Sequence, residues 1–141
     1  MESNPRYLVI GATGLLGQAL MGELRRRKFT SAGLARKGAD IAADITDDAG
    51  ISALIAELSP GIVINIAALI DVGACERDPD RAAGINGHAV GIIAKACRKY
   101  ESKMVQISTD HFYTGDGSAT HDEAAPVTLL NEYARSKHAG E

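Results

Sequence analysis

The chain has 141 residues, 45% of them apolar and 23% charged, with a net charge of −3. That length suits one globular domain able to bury a core, and the slight acidity supplies no broad basic field for nucleic acid or an anionic membrane. The longest apolar stretch, 62–70, is interrupted by Asn65 and falls short of the roughly 20 residues that span a bilayer; the opening Met1-Glu2-Ser3-Asn4-Pro5 lacks signal-peptide order, so a cytoplasmic protein with no membrane partner is expected.

Short apolar runs alternate with helical periodicity along the chain. Tyr7-Leu8-Val9-Ile10 reads as a buried strand, and Leu15, Leu16, Ala19, Leu20 and Leu24 then mark one face of a helix. Arg25-Arg26-Arg27-Lys28 falls where that helix should end, and cations there complement the helix dipole better than they make a nucleic-acid patch. Phe29 to Ala35 predicts a second strand and Ala39 to Asp44 a short third. Asp47 or Asp48 can cap a helix carrying Ile51, Leu54, Ile55 and Leu58, which Pro60-Gly61 ends. Ile62 to Ile66 is the fourth strand. A helix from about Pro79 turns Ile85, Ala89, Ile92, Ile93 and Ala96 toward the sheet, and Met104 to Ser108 is the fifth strand. Strands separated by single helices require parallel pairing through right-handed crossovers, so the fold class is α/β with a doubly wound parallel sheet. The connection from about Thr109 to Leu130, with Gly115-Asp116-Gly117 and Pro126, is long enough to carry function.

Chemistry concentrates at two places. Gly11-Ala12-Thr13-Gly14-Leu15-Leu16-Gly17 joins a strand to a helix with GxxGxxG spacing. Gly11 suits the tight turn, Gly14 the approach of backbone to a pyrophosphate and Gly17 the packing of helix on strand, while the helix N-terminus supplies amides. At the end of the second strand, Leu34-Ala35-Arg36-Lys37 has no carboxylate for ribose hydroxyls and places Arg36 for a 2′-phosphate; NADP(H) is the expected cofactor and NAD(H) the alternative. Tyr133 and Lys137 stand four residues apart, on one face of a helix. A phenol alone is a poor proton donor at neutral pH, and a neighbouring cation favours its charged form. Cys75 and Cys97 have no partners at metal-ligand spacing and read as reduced thiols, Cys97 on a buried helix face; His88, His111, His121 and His138 form no ligand set, so no metal is expected.

With Asp44 in Ala43-Asp44-Ile45, the run Val63-Ile64-Asn65-Ile66-Ala67-Ala68, Asn86, the triplet Ser108-Thr109-Asp110 and Tyr133 to Lys137 followed by Gly140-Glu141, the chain resembles an extended short-chain dehydrogenase/reductase over nearly all its length. The likeness is greatest to the dTDP-4-dehydrorhamnose reductase group. It implies an NAD(P)-binding Rossmann fold and an oxidoreductase that reduces a nucleotide-linked keto-sugar with NADPH, as in dTDP-rhamnose biosynthesis. It further implies that Thr109, Tyr133 and Lys137 are catalytic, with Thr109 and Asp110 meeting the substrate. Gly11, Gly14, Leu15, Leu16, Gly17, Arg36, Asp44, Ile45, Ala67, Ala68 and Leu69 would bind the cofactor together with Tyr133 and Lys137, Asp44 and Ile45 flanking the adenine. The expected partner is a nucleotide-sugar substrate, with a homodimer as one candidate assembly.

Two departures stand out. Where the family commonly reads Tyr-Val-Phe after the triplet, this chain has His111-Phe112-Tyr113. The family also continues past the catalytic helix into a substrate-binding region, so residues 1–141 are expected to be an N-terminal Rossmann domain lacking that region, inactive by itself, its last helix frayed. The alternative reading is a non-catalytic dinucleotide-binding regulatory subunit of a partner enzyme, against which the intact Thr109, Tyr133 and Lys137 weigh.

Overall fold

Strands β1 (Tyr7–Ile10), β2 (Ser31–Ala35), β3 (Ile41–Ala42), β4 (Ile62–Asn65) and β5 (Lys103–Gln106) hydrogen-bond side by side in the order β3-β2-β1-β4-β5, every pair parallel. This computed structural model describes residues 4–113, 117 and 120–141; Met1 to Ser3 and most of the Gly115-Asp116-Gly117 turn lie outside them. The helices are α1 (Leu15–Arg26), α2 (Asp48–Leu58), α3 (Val72–Arg77), α4 (Pro79–Ala83), α5 (Ala89–Lys99) and α6 (Glu132–His138), with a π-helical turn at Gly84–His88 and a 3-10 turn at Asp110–Phe112.

Side chains alternate across a strand, and in β1 that alternation separates two cores. Leu8 and Ile10 pack with Leu34, Val63, Ile51 and Ile55 of α2, and Ile92 and Ile93 of α5. Val9 points the other way, toward Met21 and Leu24 of α1. Because both faces of the central strands are covered, they read as continuous apolar runs rather than alternating ones. The expected doubly wound parallel sheet is the one observed. Among the described residues, no helix is long and apolar enough to cross a membrane. Cys75 and Cys97 are both free and buried, and burial pushes the Cys97 thiol up to about 11.

Several details differ from the sequence reading. Expected strands two through five are shorter or displaced at their ends. β3 has only two residues paired, and the Asp40 side chain takes the Gly33 N–H at 2.8 Å beside it. The apolar face assigned to α1 is rotated. Leu15 is 94% exposed, Leu16 51%, and Ala19 is exposed, while Gly17, Met21 and Leu24 are buried with Leu20 beside them. The first turn of this helix faces the cleft described below, so its core contact begins one turn later. Helix α3 was not expected, although Asp71 marks its start by accepting the Ala74 N–H at 2.7 Å. The helix that begins at Pro79 is interrupted by the π turn before continuing as α5. The reading of the basic run holds: α1 ends at Arg26, and Arg25 pairs with Asp40 while Arg26 and Arg27 pair with Glu23.

The last helix, expected to fray, is anchored to the rest of the fold. Asn131 caps α6 by accepting the Ala134 N–H at 2.8 Å, and Glu76 accepts the Glu132 N–H at 2.7 Å. Tyr133, Ala134, Ser136 and Lys137 are buried against α3, α4 and the π turn. A short helix keeps little stability alone, and here tertiary contacts supply it.

Candidate functional site

The parallel strands bring their carboxyl ends to one edge, and the winding reverses between β1 and β4, where open α/β sheets place their ligands. A cleft of about 830 Å³ opens there, within the roughly 300 to 1,000 Å³ of small-molecule sites. Residues from four strand ends line it: the glycine loop after β1, Arg36 after β2, Ala67 to Ile70 after β4, and Ile107 and Ser108 after β5. Helix α6 closes the remaining side with Tyr133 and Lys137.

The glycine loop has the geometry its spacing suggested. Gly11 has φ +90, and a Cβ there would stand 2.7 Å from the Ala67 nitrogen, so only glycine fits between β1 and the exit of β4. Its N–H and that of Ala12 both donate to the Leu34 carbonyl, at 2.8 and 3.1 Å, which folds the loop against β2. A Cβ on Gly17 would lie 2.8 Å from the Ala12 Cα and nearer still to the Gly11 carbonyl, so this glycine seats α1 on the loop beneath the cleft. Gly14 is the N-cap of α1 and offers no side-chain cap, leaving the first-turn amides for a bound anion. The cradle therefore fits a dinucleotide pyrophosphate.

At one end of the cleft stand Arg36, Asp44, Ile45 and Thr46. Asp44 Oδ1 accepts the Thr46 N–H at 2.9 Å and the Thr46 hydroxyl at 2.7 Å. These two bonds, then the charge of Arg36, hold the Asp44 carboxyl below its usual range. A fixed carboxylate beside a cation can meet both an adenosine and an added phosphate.

At the other end, Tyr133 packs with Cys75 and Ala82, and the His111 ring meets it edge-on with centroids 5.1 Å apart. Lys137 is 5% exposed and donates from Nζ to the Ile107 carbonyl at 2.6 Å. Burial lowers its pKa, partly opposed by the charge of Glu141. The Ser108 hydroxyl donates to the Glu141 carboxylate. Thr109 and Asp110 come next along the chain and do not line the cleft; Thr109 Oγ1 accepts the His111 N–H at 3.2 Å, opening the 3-10 turn. Thus twelve of the expected cofactor positions share the cleft, Gly17 lies beneath it, and the expected substrate pair stands outside it. Thr13, Thr46, Arg81 and Ser108 also line the cleft and were not expected. Only the position of each just past a strand, or beside an expected site residue, could have pointed to Thr13, Thr46 and Ser108, and Arg81 had no such signal.

Lys137→Met is expected to stabilise the ligand-free chain at pH 7, by on the order of 1 kcal/mol, because it removes a desolvated charge and keeps the packing volume. Ile107, just past β5, is 36% exposed, so water can take the place of the ammonium at its carbonyl. With the folded-state pKa below the ordinary 10.5, the unfolded chain binds more protons between the two values. The cost of the charge is therefore complete below the folded value and fades as pH rises through it. Thermal melts at pH 7 and pH 10 should show the gap between variant and wild type narrowing; a wild type that is the more stable at pH 7 contradicts this.

The sequence profile of a family described as RmlD substrate binding domain matches residues 5–141. A dTDP-4-dehydrorhamnose reductase of Streptomyces griseus is 36% identical over 137 residues, which make up 97% of this chain and 44% of that protein. A dTDP-4-keto-6-deoxy-D-glucose reductase of Streptomyces niveus is 32% identical over 136 residues, 96% of this chain and 47% of that one. Among solved structures, a dTDP-4-dehydrorhamnose reductase from Bacillus anthracis in complex with NADP superposes with a TM-score of 0.88 at 31% identity, covering 97% of this chain and 48% of that one. The chain spans a little under half the length of the relatives it matches.

Proposed function

The chain belongs to the RmlD substrate binding domain family, and from that premise we propose that it is the dinucleotide-holding, proton-donating part of an NADPH-dependent reductase of nucleotide-activated keto-sugars. The observation that carries this reading is one cleft holding the glycine cradle, Arg36 and Asp44 at one end and Tyr133 with Lys137 at the other. Relatives described as reductases of dTDP-linked sugars match nearly the whole chain.

When bound, NADPH supplies the hydride; the protein supplies placement and electrostatics. The amides of α1 would hold its pyrophosphate and Arg36 its 2′-phosphate. Lys137, anchored on the Ile107 carbonyl, would present its remaining N–H donors to the cleft for the nicotinamide ribose. Tyr133 gives its phenolic proton to the alkoxide oxygen as that charge develops; Thr109 and Asp110, which lie outside the cleft, keep their expected substrate role in this reading only if the sugar reaches past Ser108. Residues 1–141 form the Rossmann domain in this reading, and contacts that choose the sugar come largely from beyond it. Both thiols are free, which suits a reducing, cytoplasmic setting.

The cofactor tests the reading directly. Fluorescence titration should give NADPH a dissociation constant lower than that of NADH by about tenfold or more, the worth of a charge-assisted hydrogen bond. Arg36→Ala should shrink that ratio. Equal constants in the wild type would remove Arg36 from its role.

A further inference from the structure

Arg81 lines the cleft from α4 and belongs neither to the glycine cradle nor to the tyrosine helix. Arg81, Gly84 and Ile85, three and four positions apart, turn one helix face toward the cleft. A Cβ added at Gly84 would meet nothing within 4 Å, so a ligand can come up beside the arginine stem. Three cations, Arg36, Arg81 and Lys137, line the cleft against one carboxylate, Asp44. Two of the three are committed: Lys137 donates to the Ile107 carbonyl, and the charge of Arg36 acts on Asp44. Arg81 is exposed, and among the described residues its guanidinium makes no salt bridge and no hydrogen bond. By contrast, Arg25, Arg26, Arg27 and Arg135, all outside the cleft, are each paired with a carboxylate. Asp78 Oδ1 accepts the Arg81 backbone N–H at 3.0 Å, which fixes the turn of helix from which the side chain projects. An arginine fork matches two phosphate oxygens, and an excess of cations in a cleft draws anions into it.

We propose that Arg81 is a binding residue for a diphosphate, which its guanidinium grips from the α4 wall of the cleft. Two ligands of the proposed function carry that group, the dinucleotide and the nucleotide-sugar, and the fork meets the same chemistry in either. The site rests on the proposed function for the identity of these ligands. It adds to that reading a cation on a wall that holds neither the cradle nor the tyrosine.

Titration of the 141-residue chain with NADPH, dTDP and adenosine 2′,5′-bisphosphate tests this. Arg81 is exposed and bears no packing, so Arg81→Gln should melt with the wild type. Arg81→Gln should weaken the diphosphate that Arg81 holds by about tenfold, the worth of a charge-assisted hydrogen bond. It should leave the bisphosphate, which has two single phosphates and no diphosphate, within about twofold of wild type. Arg81→Lys should recover part of the loss, since it keeps the charge and gives up the fork. A loss confined to NADPH assigns the dinucleotide's diphosphate, and one confined to dTDP assigns the nucleotide-sugar's. Unchanged affinity for both diphosphates overturns the proposal. Equal weakening of all three ligands also overturns it, because that is the effect of a diffuse field and not of a contact. A wild type that binds dTDP and not NADPH, with Arg81→Gln weakening dTDP, keeps the site and rejects the dinucleotide reading. A wild type that binds neither diphosphate rejects both.

Discussion

Tyr133→Phe is expected to lower the turnover of a dTDP-4-keto-sugar by about 10² to 10⁴, the usual worth of a positioned general acid, while NADPH affinity stays nearly unchanged. The ring is held by Cys75, Ala82 and the edge of His111, and phenylalanine keeps all of that packing. Lys137 also keeps its bond to the Ile107 carbonyl, so the cofactor end of the cleft is preserved. Only the proton is lost. The assay should be run on a fusion that supplies the remainder of the Streptomyces griseus relative, of which the chain matches 44%. Turnover by the variant close to that of its parent would show that the proton comes from elsewhere.

Two glycines in the same helix should respond to the same substitution with opposite signs. Alanine is intrinsically better than glycine inside a helix by roughly 1 kcal/mol. At Gly22, which is exposed and has nothing within 4 Å of an added Cβ, that preference should appear as a gain of about 0.5 to 1 kcal/mol. At Gly17 the new methyl would stand 2.8 Å from the Ala12 Cα and closer to the Gly11 carbonyl, both backbone atoms of the dinucleotide loop. Overpacking of this kind costs about 1 to 3 kcal/mol and outweighs the propensity gain. Since the loop must shift to relieve it, NADPH affinity should fall together with stability. Urea unfolding and NADPH titration of the two variants check this, and a Gly17→Ala chain as stable as wild type would mean that the glycine does not seat α1.

How much of this was legible beforehand depended on how local the cause was. The order of strands and helices followed from apolar periodicity, and Gly11 announced its turn because only glycine takes that backbone conformation easily. Tyr133 and Lys137 were paired by helical geometry alone. The face of α1 was misjudged because periodicity records which residues are apolar and not which of them a cleft needs. Leu15 and Leu16 look like core and stand at the mouth of the site.

The sequence by itself determined the order of the five strands, most of the helices between them, the glycine loop and the pairing of Tyr133 with Lys137 on one helix, since each rests on residues a few positions apart. Only the tertiary structure decided that β1 lies between β2 and β4, which brings Arg36 and Lys137 into one cleft from 101 positions apart. It alone set Lys137 on the Ile107 carbonyl and gave Asn86 its partners Leu69 and Ser136, 17 and 50 residues away. Such contacts depend on how whole elements pack, and no local pattern encodes which distant carbonyl or hydroxyl a buried polar group will find.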